Sequence, residues 1–465
     1  MDCFNRGKPP ILIRFRASNT FILITICLAA FTDGFLYAVV VPVLPYSLKH
    51  ESGVPEHDVQ RWSSYLLTVF GGATLLMSPL AGWIADRTSS RRIPFLVGLV
   101  VQAGSTSLFL LSPKVAVLMI ARALQGLSAA VVYSVGLAIL VDTVGMSDIG
   151  RNAGYFLSSA NLGVLISPLI GGLVYNKAGY YAVVVMMISL VGVDIALRLV
   201  MVEKSTAAYW VRENDAEITS HRSILRHNST VNTVYGTMAD NIAGPRTRDR
   251  KQMPAFIRLL TVPRALANVF AVLVSYILLA AFDAGLAVFL KDRFQWSSSS
   301  AGASFLAIAL PSLLSPIAGS LSDKFGPRWI TVAGFIVSVA GLLGIGRIER
   351  PTAWQLVGLY TCLVLIGSGI AFVLPCVADD LTTIASNMTA DNHGAGDGRG
   401  AYAQAYALFN CGIAGGTVLG PLLMSTVSRF GWQPVTLGLA TLPALACVPI
   451  ALFYESSGAD ENSME

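Results

Sequence analysis

The chain has 465 residues, 54% of them hydrophobic and 13% charged, with a formal net charge of +5. A soluble domain carries about 25% charge, and a single soluble core stops growing near about 250–300 residues, so this composition excludes one large water-soluble domain and points to many membrane spans. The positive balance does not indicate nucleic acid, because the basic residues stand between apolar segments, where topology signals belong.

The first twenty residues carry Arg6, Lys8, Arg14 and Arg16 and run straight into an apolar stretch from Phe21 to about Pro45. That stretch is too long for the apolar core of a cleaved leader, so it is expected to be a first span behind a basic, cytoplasmic N-terminus. Apolar runs of spanning length follow in order: 21–45, 63–85, 93–112, 115–141, 153–175, 180–201, 265–290, 301–322, 329–347, 353–381, 401–427 and 433–454. Backbone groups in lipid must bond within the protein, which leaves helices or a closed barrel. Barrel strands alternate apolar and polar residues; runs such as Val183–Val193 do not. Every span is therefore expected to be a helix.

The longest polar break, 202–263, carries nine Lys and Arg and reads as a flexible cytoplasmic linker. Ser386–Gly400 is a second polar connection, and 455–465 is an acidic tail. With the N-terminus inside, the cytoplasmic segments hold about 21 Lys and Arg and the external ones about 9, which satisfies the positive-inside rule and places both termini in the cytoplasm. The expected domains are a cytoplasmic segment 1–20, a six-helix bundle 21–201, the linker 202–263, a second bundle 264–454 and the tail 455–465. Cys27, Cys362, Cys376, Cys411 and Cys447 lie in apolar segments without metal-ligand spacing; with Cys3 they are read as small residues, not as a disulfide framework.

An internal repeat decides the architecture. Span two ends Ser78-Pro79-Leu80-Ala81-Gly82-Trp83-Ile84-Ala85-Asp86-Arg87, and span eight ends Ser315-Pro316-Ile317-Ala318-Gly319-Ser320-Leu321-Ser322-Asp323-Lys324, at one offset of 237 residues. Span five has Ser167-Pro168 and then Gly171-Gly172; span eleven has Gly416 and then Gly420-Pro421. The expected fold is an all-α membrane protein, twelve transmembrane helices in two pseudo-symmetric six-helix bundles.

Three motifs carry chemistry. The first is Gly82, Asp86, Arg87 and Arg91, repeated as Gly319, Asp323, Gly326 and Arg328. A glycine allows two helices to approach closely, and an aspartate beyond it can face a helix N-terminus or a basic partner and hold one side shut. The second is Arg122 inside span four, with Gln125 and Gly126 beyond it. An arginine there costs about 3 kcal/mol on insertion scales, so it is expected to face the bundle and hold a partner; the plainer reading is a structural arginine satisfied by carbonyls. The third is Gly163, Ser167, Pro168, Gly171 and Gly172 in span five, a proline kink among small residues that permit close packing and sliding. Span one adds Asp33 about halfway along an otherwise apolar helix, and span seven adds Asp283 at a similar place.

Together these residues resemble the major facilitator superfamily over about residues 20–455. The resemblance implies substrate bound near the midplane between two halves that rock to alternate access, a gating role for the repeated motif and a proton-coupling role for Arg122. The span-five motif resembles that of the antiporter branch, found in exporters. Span one, with Phe31-Thr32-Asp33-Gly34 and Val41-Pro42, is similar to the branch that holds vesicular amine carriers and drug:proton antiporters. Those carriers also use a lysine in span two and acids in spans ten and eleven; the positions here are Phe70, Ile370 and Asn410. Asp33 is the expected proton site, with Asp283 sharing that role and Asn161 and Asn410 bonding substrate. Asp194 and Arg198, one turn apart in span six, are expected to pair.

The function read from these residues is proton-coupled antiport exporting small amphiphilic organic compounds, of the fungal toxin, drug or secondary-metabolite kind. A vacuolar or vesicular loader and a non-transporting, carrier-like sensor are the alternatives. No catalytic constellation and no phosphate-binding glycine loop stands out, so neither an enzyme nor ATP drive is expected, and no cofactor or metal. The expected partners are a small-molecule substrate, protons and the lipid bilayer, with the chain a monomer of the plasma membrane or, alternatively, an internal one.

Overall fold

The computed structural model describes residues 12–50, 54–88, 90–111, 114–145, 148–202, 255–294, 298–348, 352–390, 401–427 and 431–453. Within them lie twelve helices long and apolar enough to cross a membrane, and no strand. In chain order they are α1 (Asn19–His50), α2 (Glu56–Arg87), α3 (Arg92–Leu111), α4 (Val115–Val144), α5 (Ile149–Tyr175) and α6 (Lys177–Val200). The second half holds α7 (Pro263–Phe294), α8 (Ser304–Phe325), α9 (Pro327–Ile345), α10 (Ala353–Ala390), α11 (Tyr402–Val427) and α12 (Trp432–Phe453). A short helix precedes each half, Ile13–Arg16 before α1 and Ala255–Leu259 before α7. Most of the expected linker, the N-terminal eleven residues and the acidic tail lie outside the described residues. The connection after span ten begins as helix, because α10 continues to Ala390.

Hydropathy located the helices because each buries a different surface in two different solvents. Large apolar side chains such as Leu76 (82% exposed) and Trp354 (87% exposed) point outward; on a water-soluble protein so many would be an aggregation surface, whereas facing lipid they cost nothing. Polar residues are turned inward: Arg122, Arg198, Asn268, Ser275 and Ser338 are fully buried. Chain reversals use glycine where the backbone enters left-handed space. Gly179 (φ 80°) makes the kink that separates α5 from the body of α6, two residues into the latter's range, and Gly326 (φ 81°) joins α8 to α9, where a Cβ would be strained. Inside the eighth span, Leu310–Leu314 tightens to a 3-10 turn; Pro311 and Pro316 there lack the N–H that a regular helix requires.

The two halves repeat one packing plan. In the first, α1 lies on α5, with Gly163 against the carbonyl of Phe31 and Gly34 against that of Ala160. In the second, α7 lies on α11, where a Cβ on Gly416 would fall 2.6 Å from the Tyr276 Cβ and one on Gly420 2.7 Å from the Ile277 carbonyl. The halves meet along α2–α11 and α5–α8.

Candidate transport site and gates

The repeated glycine–aspartate motif stands where the halves meet. Asp86, at the end of α2, accepts the backbone N–H of Ala403 (3.1 Å) and of Gln404 (3.0 Å) and the side-chain amide of Gln404 (3.2 Å). Those are the unpaired donors of the first turn of α11, and the negative charge also meets the positive end of that helix. Asp323, at the end of α8, does the same for α5: it accepts Gly150 N–H (2.8 Å) and Arg151 N–H (3.0 Å). Each gate aspartate caps a helix of the opposite half. Gly82 and Gly319 make this possible. A Cβ on Gly82 would fall 2.6 Å from the Ala403 carbonyl and 2.9 Å from the Gln404 Cα; one on Gly319 would strike the Gly150 carbonyl and lie 2.7 Å from the Arg151 nitrogen. The face that carries both motifs is therefore closed in this conformation.

The two gates differ in their arginines. Arg91 is buried between Asp86 (3.5 Å) and Asp142 (3.1 Å). Arg328, its repeat counterpart, instead donates to the Ala451 carbonyl of α12 and stacks on Trp329 at 4.9 Å. Asp379, the counterpart of Asp142, accepts a bond from Ser322 (2.7 Å). Arg87 lies over the Trp83 ring at 4.4 Å, outside both networks. Ser89 falls outside the described residues. Beside the second gate, Arg264 and Asn268 of α7 both donate to fully buried Asp380 of α10. Arg264→Ala should destabilise the second half by about 3–5 kcal/mol, because a buried carboxylate loses its counter-ion. A fall in the detergent-solubilised unfolding temperature measures it, and replacing both partners by apolar residues should recover most of the loss.

Within the first half, Asp33 of α1 is buried, and its Oδ1 has no hydrogen-bond partner among the described residues. The Tyr133 hydroxyl of α4 and Asp194 of α6 lie within electrostatic range. Arg122 is fully buried on α4. It donates to Gln125 Oε1 (3.1 Å) and to the Tyr37 carbonyl of α1 (3.3 Å), and it sits 5.9 Å from the Phe70 ring, while its Nε has no acceptor among the described residues. Tyr37 packs on Phe70 at 4.9 Å, and its hydroxyl senses both Arg122 and Asp283 of α7. The Tyr37 hydroxyl thus lies within electrostatic range of a basic group of its own half and an acidic group of the other. Asp33 and Asp283 occupy similar places in the repeat in different surroundings, for Asp33 is enclosed and the Asp283 side chain is exposed.

The remaining candidates divide. Asn410 is buried, and its amide donates to Ser78 Oγ (2.8 Å), a contact between α11 and α2. Asn161 is half-buried on α5. In the span-five motif, Gly163 and Gly171 both press on α1, the latter with its missing Cβ 2.5 Å from Val39 Cγ2, whereas Gly172 faces open space. Pro168 lies within α5, and Ser167 donates to the Val164 carbonyl at 3.1 Å. Arg198 lies over Phe95 at 4.5 Å and donates to Met201 Sδ at 3.0 Å. Its charge reaches Asp194, but neither Asp194 oxygen has a hydrogen-bond partner among the described residues. Asp142, Asp379 and Gln404 did not stand out in the sequence. The first two are related by the same 237-residue offset as the gate motifs, a signal that points to them once it is extended to the ends of spans four and ten. Nothing in the spacing marks Gln404.

Comparison with known proteins places this architecture. The Major Facilitator Superfamily pattern matches residues 26–396 and 269–463. The chain belongs to the major facilitator superfamily. Like other members of that superfamily it is a multi-pass membrane transporter of small molecules. It is similar to the MFS-type transporter ppzB of Metarhizium rileyi, 28% identical over 88% of this chain and 89% of that one. It is also similar to an MFS-type transporter of Schizosaccharomyces pombe, 30% identical over 88% and 90%. A vesicular acetylcholine transporter of Rattus norvegicus is 26% identical over 42% of this chain and 46% of that one. Among solved structures, the human organic anion transporter MFSD10 superposes with a TM-score of 0.66 at 16% identity, covering 95% of this chain and all of that one.

Proposed function

We propose that this superfamily member is a proton-coupled antiporter that exports small amphiphilic organic compounds. The observation that carries this reading is Asp33: an ionisable group enclosed in a span of the first half, with an oxygen that no donor satisfies among the described residues. Such a residue in a span is a functional-site hypothesis by default. The paired gates support alternating access, since each aspartate holds the opposite half and must release it for the closed face to open. An amphiphilic cargo fits the aromatic wall of Tyr37 and Phe70 beside Arg122 and Asp283. An amine cargo fits less well: Phe70 is an aromatic contact, Ile370 is buried and apolar, and Asn410 is bonded to Ser78. The test is efflux from proteoliposomes of ethidium, a cationic probe, and N-phenylnaphthylamine, a neutral one. An imposed pH gradient should drive either probe against its concentration gradient; efflux of both that ignores the gradient would sink the reading.

We place the gate-bearing face in the cytoplasm, with the chain a monomer of the plasma membrane. Asn387 of the sequon Asn387-Met-Thr is exposed near the gate end of α10, and the sequon at Asn228 lies outside the described residues. Neither should carry an N-glycan. A glycosidase-sensitive mass shift assigned to either asparagine would reverse the orientation.

A further inference from the structure

The segment that enters the second half ends on one of the two gates. The short helix Ala255–Leu259 packs against α11 and α2, with Leu259 fully buried. The backbone N–H of Phe256 donates to Gln404 Oε1 at 2.9 Å. The other end of the same amide donates to Asp86 Oδ2 at 3.2 Å. Gln404 therefore joins three elements of separate origin: the gate aspartate of α2, the first turn of α11 and the last stretch of the inter-half connection. An amide suits this position because it offers a donor to the carboxylate and an acceptor to the peptide N–H at once.

The second gate has no such arrangement among the described residues. There the backbone donors to Asp323 come from Gly150 and Arg151, so Arg151 holds the place that Gln404 holds at the first gate. Its side chain pairs with Asp148 of its own turn (3.1 Å). The short helix before α1 also turns away from that gate: Arg16 donates to the Val200 carbonyl and accepts from the Val202 N–H (3.1 Å), both at the end of α6. The repeat provides two gates of one design, and the connection between the halves is fastened to one of them.

We propose that Gln404 is a positioning residue that couples the Ala255–Leu259 segment to the closed state of the α2–α11 gate, so that this gate and the end of the inter-half connection open together. The proposal rests on the reading of Asp86 as a gate. Opening withdraws Asp86 from α11, which frees the Gln404 amide and with it the Phe256 N–H. By reciprocity, whatever holds or pulls the connection shifts the equilibrium of that gate and leaves the α5–α8 gate to its own contacts.

Hydrogen exchange on the full chain in lipid nanodiscs, without substrate, tests it from both ends. Gln404→Ala removes the bridge, and Phe256→Pro removes the backbone donor along with a ring that packs against the core, at a first-turn position where proline is tolerated. Each variant should speed exchange in both segments, 255–260 and 402–406, by roughly threefold to tenfold, the factor that one ordinary hydrogen bond supplies. The amides of Gly150 and Arg151 should keep wild-type protection, which shows that the fold is intact. If Phe256→Pro leaves 402–406 unchanged, or either variant loosens both gates alike, the coupling is wrong. The gate reading fails separately: it is lost if Asp86→Asn transports as wild type does, whatever the exchange pattern shows.

Discussion

Asp33→Asn is expected to abolish efflux driven by a pH gradient while leaving downhill exchange of the same probe intact. Asparagine fills the volume of aspartate but cannot take up or release a proton. The site is enclosed, and Oδ1 finds no donor among the described residues, so an ionised carboxylate there is expensive. Ionised groups at a helix centre cost about 3 kcal/mol on insertion scales, which corresponds to roughly a hundredfold bias between two orientations when the proton comes or goes. The asparagine variant loses that proton-dependent bias and keeps the cavity. Arg122→Ala should give a related defect, since the arginine touches the Tyr37 carbonyl one turn along the same helix. Asp283→Asn is the comparison that tells whether the second half shares the role. Proteoliposomes with and without an imposed gradient give the readout. Uphill pumping by Asp33→Asn with unchanged pH dependence would make Asp33 a structural residue.

Gly82→Leu is expected to stop transport while the chain still folds and inserts. The first atom of the new side chain would already lie 2.6 Å from the Ala403 carbonyl and 2.7 Å from the Ala407 Cβ. Two of the three nearest atoms are backbone, which cannot rotate away, so α11 must withdraw and the closed state is lost. Within its own helix, leucine is a better residue than glycine by about 1 kcal/mol, so the defect belongs to the interface between halves. Asp86→Asn is milder. It removes a charge from a helix terminus, worth about 0.3–2 kcal/mol, while keeping an oxygen that still accepts one backbone bond. Transport by this variant should fall several-fold, and transport by Gly82→Leu should fall to background. Gly319→Leu should match Gly82→Leu, because its missing Cβ would strike the Gly150 backbone. Surface expression and size-exclusion profile confirm folding in each case; normal rates in both leucine variants would reduce the motif to a topology signal.

The sequence by itself determined the spans, their number and the repeat. Lipid imposes one requirement everywhere, long apolar runs with their backbone bonded internally, and that requirement is local enough to be read from a window of residues. It is why the expected spans and α1–α12 coincide to within a few residues at most ends. That Asp86 and Asp323 cap helices of the opposite half was legible for a related reason. An acid just past a span, beside a small residue and repeated at one offset, has few purposes other than meeting the helix end opposite.

Tertiary structure alone decided which side chains meet across the halves. Asn410 looked free to bond substrate, and its amide donates to Ser78 in this conformation; Arg328 looked like a second Arg91 and turns to α12; Asp33 and Asp283 look equivalent in the repeat, yet one is enclosed and the other exposed. Gln404 has no mark in the sequence, because its importance comes from Asp86 and Phe256, 318 and 148 residues away along the chain. A hydropathy pattern records the contact of each helix with lipid. The polar contacts among helices depend on rotation and tilt, which are set by all twelve packing together.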